Sequence, residues 1–475
     1  MQKILLFQPP SPPGMKVSRD YAGGMGTARA TMREDYGHDS WEVIPYLSLL
    51  YLTGIVDKKK WDIFFIDAQL EKMTRKDVLK GVSNISPDVI IAVLNLPSLE
   101  GDLSLLSDIK SQCPETLIVG IGTVCKVLWD YIMGNGILDI LIRENPEIVL
   151  TNLLDALEKK KDLDVVPSIV FRRDGKFVSS SNTIEGFDLN KIPAPDYHLI
   201  PVNRYRFYEY GPDVPTFYIL SSKGCPYGCA YYCPYPLGFG KKVTFRDPEK
   251  VVDEIQLLVE KYKIQGILFR DQVFTINKNH TRRICEELLK RRVKIRWTCE
   301  TRFDTVDKDL LKLMKKAGCD RIHYGLESGD PEIFKKYGKP GKDIEGFGEI
   351  IELTRKADII PHTHLIIGLP GESWKTIENT VRFLKKWKVP SIHVSLITPY
   401  PGTPLYKEAE GKKFILTKDY SLYTINHPLI RTEYLTGEEL LRAKEYINRI
   451  FYRINTPYIQ RVLNKIKTVM GYKIK

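Results

Sequence analysis

Cysteine is scarce in this 475-residue chain, eight in all, too few to staple a fold of this length with disulfides. Scarcity makes their distribution informative. Three of the eight, Cys225, Cys229 and Cys233, fall within nine residues, a crowding that points to metal ligation. Nor does any apolar run approach the roughly 18 residues needed to cross a bilayer, so no transmembrane helix is expected. The opening MQKILLFQPP lacks the basic, apolar and small-residue zones of a secretion signal, and the expected location is the cytoplasm. Longer internal repeats, low-complexity tracts and a helix-turn-helix pattern are also absent.

Acidic residues are the minority, 59 against 71 lysines and arginines, for a formal net charge of +12. An excess of that size suits an anionic partner. The lysine runs at 58–60 and 159–161, however, sit at polar segment ends, the pattern of a solvated surface. No specific nucleic acid is expected as a partner.

What is present is α/β alternation. KILLFQ (3–8), WDIFFID (61–67), PDVIIAVL (87–94), ETLIVGIG (115–122) and ILDILIRE (137–144) read as buried strands. PYLSLLYLTGIV (45–56), GDLSLLSDIKSQ (101–112), KVLWDYIMG (126–134) and EIVLTNLLDALEKKK (147–161) have helical apolar spacing. Residues 1–164 are therefore expected to form a doubly wound, Rossmann-like domain. Residues 165–215 read as a linker, with a hairpin turning at Asp174-Gly175. A second alternation, FYILSSKG (217–224), GILFRD (266–271), KIRWTCET (294–301), RIHYGLES (321–328), IIPHTHLIIGL (359–369) and SIHVSLITPYP (391–401), predicts a partial (β/α)6 barrel over 216–410. A helical C-terminal extension over 411–475 follows. Its basic, apolar-striped tail is suited either to capping the core or to peripheral membrane contact.

In parallel βα folds the loops beyond the strand C-termini share one mouth, and the three cysteines follow the first strand of the second alternation. Three thiolates in GCPYGCAYYCPYP can ligate three irons of a 4Fe-4S cubane and leave the fourth open. A closed zinc site needs a fourth ligand, and the closest in sequence, His198, lies 27 residues upstream.

The loop, together with DQVFTINKN (271–279), WTCETRFD (297–304), LLKLMKKAGCDRIHYGLESGD (310–330), IIGLPGES (366–373) and TPYPGTPLY (398–406), resembles the cobalamin-associated branch of the radical S-adenosylmethionine superfamily. The usual signature there is C-x3-C-x2-C; this chain has C-x3-C-x3-C, with Tyr231 and Tyr232 before the last cysteine. The resemblance implies a 4Fe-4S cluster, S-adenosylmethionine bound at the open iron, and a 5′-deoxyadenosyl radical. It implies a ribose-binding carboxylate at Glu327 beside Ser328, with Asp271 and Arg302 at the amine and carboxylate ends and Gly368 and Pro370 along the adenine. It also implies an electron donor such as ferredoxin or flavodoxin.

The first domain, by the same resemblance, is the cobalamin-binding module. The D-x-H-x-x-G lower-ligand motif is missing, and VGIGT (119–123) and IRENPE (142–147) stand where relatives show Gly-Gly and Gly-Glu patterns. Gly120 and Gly122 are the candidates for close backbone approach to a corrin or phosphate. GGMGT (23–27) is either an ordered loop over a cofactor or a flexible connection. Tyr400, Thr403 and Tyr406 are candidate substrate-pocket residues, and the substrate is expected to be a small molecule, lipid or peptide. The leading expectation is cobalamin-dependent methyl transfer to an unactivated carbon. Radical ring closure or carbon–carbon coupling is the alternative enzyme reading, and a cluster-bearing sensor or nucleic-acid-binding regulator the non-enzymatic one. Cys113, Cys125, Cys285, Cys299 and Cys319 read as buried thiols, and the alternating His362 and His364 as one packed strand face.

Overall fold

The structure, a computed structural model, describes residues 2–30, 42–180, 184, 188–207, 209–338 and 343–456. The first sheet is built from β1 (Gln2–Gln8), β2 (Trp61–Asp67), β3 (Val89–Val93), β4 (Leu117–Ile121) and β5 (Ile140–Ile142), followed by β6 (Ile169–Arg173) and β7 (Lys176–Ser179). Their order is β2-β1-β3-β4-β5-β6-β7. The first five run parallel and the last two antiparallel. Every residue of β3, VIIAV, is buried, as a strand covered on both faces requires.

Alternation sorts the side chains into two cores. Leu5, Phe7, Ile90 and Ala92 pack under α2 (Arg75–Ile85) and α3 (Leu99–Gln112). Ile4, Leu6, Ile91 and Val93 pack under α1 (Leu47–Ile55) and α4 (Pro146–Glu158). The doubly wound expectation holds. The helix expected at 126–134 is two short pieces, Val124–Val127 and Trp129–Gly134, because Leu128 leaves helical geometry at φ −124°.

The linker expected over 165–215 is not a free connector. Its hairpin, turning through Asp174 (φ 49°) and Gly175 (φ 75°), extends the first sheet, since the edge of β5 offers unpaired backbone groups that an adjacent strand satisfies. Farther on, Tyr197, Ile200, Val202, Tyr205 and Phe207 are buried in the core of the second region. Tyr205 also donates a 2.9 Å hydrogen bond to Asp67 in the first.

The second sheet contains β8 (Thr216–Ile219), β9 (Gly266–Phe269), β10 (Arg296–Thr301), β11 (Cys319–Glu327), β12 (Ile360–Ile367) and β13 (Ser391–Leu396). They pair in sequence order and all in parallel, the expected six-stranded partial barrel. Between them run α5 (Pro248–Tyr262), α6 (Lys278–Lys290), α7 (Lys308–Lys316), α8 (Ile344–Lys356) and α9 (Trp374–Lys386). One residue parity, including Ile322, Tyr324, Leu326, Leu365 and Ile367, faces these helices as apolar core. The other points inward.

Helix α10 (Gly437–Asn455) opens with a Thr436/Glu439 capping box and spends Leu440, Ala443 and Ile447 on the barrel core. The last part of the expected helical extension, 457–475, lies outside the described residues. Among the described residues no helix is long and apolar enough to cross a membrane.

Candidate functional site

The cysteine loop is held at both ends by the strands that frame it. After β8, Ser222–Lys223 pairs antiparallel with Thr244–Phe245, so the intervening residues loop out over the barrel mouth. Gly224 has φ +109°, and a Cβ there would stand 2.1 Å from the Lys242 carbonyl oxygen; only glycine fits. Its N–H donates to Gln272 Oε1 at 2.8 Å. Asp271, buried just past β9, accepts from the Ser221 N–H (3.0 Å), the Ser221 hydroxyl (2.6 Å) and the Ser222 hydroxyl (2.5 Å).

The loop turns tightly enough to gather its thiols, with the Cys233 N–H donating to the Cys229 carbonyl at 2.9 Å. The Cys229 thiol is hydrogen-bonded to those of both Cys225 and Cys233; that bonding, then burial, pushes the Cys225 and Cys233 thiols up. The extra spacer residue is absorbed by sending the two tyrosines apart. Tyr231 donates to Glu408 Oε2 at 2.5 Å and stacks on Tyr337, ring centroids 5.2 Å apart. Tyr232 turns in, buried and hydrogen-bonded to Glu327.

The thiols line a cavity of about 360 Å³ that is also walled by Arg302, Glu327 and Tyr400. Glu327 gets there by a backbone device: the β11–β12 register shifts between Gly325 and Glu327, and Glu327 adopts φ +67°. For a non-glycine residue that conformation costs energy the surroundings must offset, and such strain concentrates at functional sites. Arg302 lies 3.8 Å from the centroid of the Tyr227 ring and forks onto Asp304 at 2.7 and 2.9 Å.

Other expected residues lie elsewhere. Asp271 sits behind the cavity with its carboxylate engaged by the serines, so it positions the loop instead of meeting a ligand amine. The Ser328 hydroxyl is spent on Thr380 (3.3 Å) and the Asp330 N–H (3.2 Å). Gly368 and Pro370 border a separate narrow crevice with Glu408 and Arg431; the Gly368 N–H donates to buried Glu372 at 2.5 Å. Thr403 caps the helix Pro404–Gly411, and Tyr406 contacts Tyr420. In the first sheet, a Cβ on Gly120 would strike Leu138 and Leu141 at 2.6 and 2.7 Å, and one on Gly122 the Leu94 carbonyl oxygen at 2.3 Å. Those two glycines serve close packing.

Sequence reasoning missed the inward parity of the later strands. Glu300, His323, His364, His393 and Ser395 all face the cavity; polar residues at every second position of otherwise apolar strands were the available signal. Cys299, on the opposite parity, is core.

The GGMGT loop lies against the barrel, and its Thr27 with the preceding Tyr21 and Ala22 forms part of the cavity wall. It is pinned from behind by buried Arg19, which forks onto Asp102 at 2.8 Å to each oxygen. The Thr123 hydroxyl donates to the Gly23 carbonyl at 2.5 Å, and a Cβ on Gly23 would stand 2.7 Å from Tyr235 Cα.

Arg270 ties this loop to the barrel. It donates to Asp20 Oδ2 (2.9 Å), Glu300 (3.0 Å) and the Tyr235 hydroxyl (3.2 Å), with Tyr21 and Tyr218 rings 5.1 and 5.5 Å from the guanidinium. A second buried pair, Lys223 with Glu147 at 3.1 Å, crosses the same seam.

Comparison with known proteins agrees with this geometry. Residues 219–384 match the model of the radical SAM superfamily. An uncharacterized methyltransferase of Pyrococcus horikoshii is 28% identical over 411 residues, covering 85% of this chain and 87% of the relative. An anaerobic magnesium-protoporphyrin IX monomethyl ester cyclase of Cereibacter sphaeroides is 29% identical over 422 residues, covering 87% and 67%. Among solved structures, the radical S-adenosylmethionine methyltransferase TsrM of Kitasatospora setae, with cobalamin and a [4Fe-4S] cluster bound, superposes with a TM-score of 0.70 at 15% identity, covering 96% of this chain and 90% of that one. Three cysteines are thus gathered at the mouth of a six-stranded parallel barrel whose residues 219–384 match the superfamily model, and the chain carries a radical S-adenosylmethionine domain.

Proposed function

We propose that this protein reductively cleaves S-adenosylmethionine in the barrel cavity and uses the radical for methyl transfer to a carbon of a small-molecule substrate, with cobalamin carried by the first domain. The observation that carries the cleavage step is the convergence of Cys225, Cys229, Cys233, Arg302 and Glu327 on one cavity. The donor set fits: three thiols gathered about Cys229 suit three irons of a cubane, and a buried carboxylate beside them can accept hydrogen bonds from two ribose hydroxyls. The chemistry supplied there, with cluster and S-adenosylmethionine bound, is one-electron cleavage of the sulfonium–C5′ bond to methionine and a 5′-deoxyadenosyl radical.

The chain's own residues orient and enclose. Glu327 is held facing the cavity by the β11 bulge and by Tyr232. Arg302, stacked on Tyr227, presents a cation beside the cysteines, where a carboxylate would be held. Tyr21, Tyr235, Val273 and Ile425 give the cavity apolar wall that excludes water from a reactive intermediate. A cluster of this kind needs an external electron donor such as ferredoxin or flavodoxin, which suits the reducing cytoplasm.

For cobalamin, the fitting groups are those of the first-domain loop at the cavity. Gly24 and Gly26, at φ +82° and +80°, and Thr27 on the cavity wall offer backbone and hydroxyl groups that suit an amide-fringed cofactor. The contact of Gly23 on Tyr235 means that this seam has to part to admit a corrin ring. Methyl transfer is favoured by the methyltransferase relative and by the shared fold of TsrM. Radical ring closure is the second reading, favoured by the cyclase relative at nearly the same identity.

The test is anaerobic incubation of the cluster-reconstituted protein with a reductant, methyl-labelled S-adenosylmethionine and metabolite extracts. Formation of 5′-deoxyadenosine with labelled product supports the proposal. Cleavage with unlabelled, ring-closed product supports the second reading, and absence of 5′-deoxyadenosine overturns both.

A further inference from the structure

Below the radical cavity the inward faces of three neighbouring strands bring histidines together. His323 stands on β11, His362 and His364 on β12, and His393 on β13; in register, His323 is opposite His362 and His364 opposite His393. One ring nitrogen from each of His323, His362 and His364 lies within 4.8 Å of the others, and His323 Nδ1 is 3.0 Å from His364 Nε2.

Two of the three rings have a polar group beside their other nitrogen. His362 Nδ1 is hydrogen-bonded to the Ser391 hydroxyl at 2.6 Å. His323 Nε2 lies 2.9 Å from Glu209 Oε1, and Arg321 is 3.3 Å from the same oxygen. Carboxylate and hydroxyl partners on the far nitrogen are how metal-ligating imidazoles are fixed in tautomer and direction. His362 Nε2 has no hydrogen-bond partner, although the residue is only 5% exposed, and His323 Nε2, close as it is to Glu209, makes no hydrogen bond of regular geometry either. A packed polar strand face explains His323 and His364, which can share a proton between them. It leaves His362 Nε2 desolvated and unpaired, a cost that a bound ligand would remove.

We propose that His323, His362 and His364 form a binding site for one divalent transition metal ion of the zinc or iron(II) type, with its remaining coordination position open to the cavity. Three imidazoles and an open position are the donor set of reactive, not closed structural, sites, and nitrogen ligands select this part of the metal series over magnesium or calcium. Burial, then the neighbouring imidazoles, holds His362 and His364 well below the usual histidine range, in the neutral form that ligates. Because His323, His364 and His393 also line the radical cavity, a metal here would take an oxygen or nitrogen donor of the substrate and fix that substrate beneath the adenosyl group. The site uses none of the three cysteines, so it stands or falls separately from the cluster.

The test uses the full chain with Cys225, Cys229 and Cys233 all replaced by alanine, stripped with chelator and titrated with Co²⁺ alone. One equivalent should bind, with the visible d–d absorption of a low-coordinate nitrogen site, and be displaced by Zn²⁺. His362→Ala in this background should weaken binding by at least about 100-fold, and Glu209→Gln, acting through His323, by about 10–100-fold. If circular dichroism shows that His362→Ala does not fold, His364→Gln at the cavity wall gives the same reading. No saturable Co²⁺ binding in the folded cysteine-free protein overturns the proposal, as does unchanged affinity in the folded histidine variants.

Discussion

The first sheet and the barrel are written in the same βα grammar, yet one is solid and the other hollow. In the first sheet both strand parities are apolar, and Leu5 and Ile4 alike are fully buried against helices. In the barrel one parity packs on helices while the other carries Glu300, His323, Glu327, His364 and Ser395 around open space. Even the glycines differ in purpose: Gly120 makes room for leucines, whereas Gly224 lets the cysteine loop turn. Chemistry resides where the fold leaves an inward parity without apolar partners, and among the described residues the first region's share of the site is one loop laid against the barrel mouth.

The sharpest way to break this comparison is to remove the reactive loop's middle thiol. Cys229→Ala should abolish both the iron–sulfur absorbance and 5′-deoxyadenosine formation while leaving the circular dichroism spectrum unchanged. Persistence of either signal would place the cluster elsewhere.

Next comes the joint between the regions. Arg270→Met strips Asp20 of a buried cationic partner, and breaking such a pair costs about 3–5 kcal/mol. Denaturant unfolding should show a lower midpoint, with the two regions' transitions separating; a single unshifted transition would mean that packing and the Lys223–Glu147 pair hold the seam without it.

Within the hollow region, Glu327→Gln should weaken S-adenosylmethionine binding by about 10–100-fold, as loss of charged hydrogen bonds does, without changing iron content. Equal affinity in an equilibrium binding assay would remove Glu327 from the ligand.

The smallest effect at any one pH step tests a buried acid beside the barrel. Burial, opposed by the Gly368 and Leu369 N–H groups, pushes the Glu372 carboxyl up to about 8. Unfolding between its ordinary value of 4.5 and 8 therefore releases a proton, so its contribution to stability is complete below that window and lost as pH rises through it, by up to about 1.4 kcal/mol per pH unit. Thermal melts of Glu372→Gln should lose that slope; an unchanged slope would show that another group carries it.

Much of the architecture was legible because burial writes its period into sequence. Continuous runs such as VIIAV marked strands covered on both faces, and the amphipathic spacing of 248–263 and 374–388 marked helices close to their observed bounds. The hairpin turn at Asp174-Gly175 was legible, but its destination was not, because pairing with β5 depends on which sheet edge lies open. Asp271 and Ser328 looked like ligand residues by position; in the structure their polar atoms are consumed by neighbours that only folding supplies.

By itself the sequence determined that three thiols sit on one loop after the first strand of a parallel α/β series, because ligand spacing within a loop and strand periodicity are local properties. Tertiary structure alone decided that Tyr231 turns out while Tyr232 turns in, that a bulge swings Glu327 into the cavity, that Arg270 joins a loop 250 residues away, and that His323 meets His362 and His364. Each of these depends on register and on the packing of distant segments, and no local pattern encodes them.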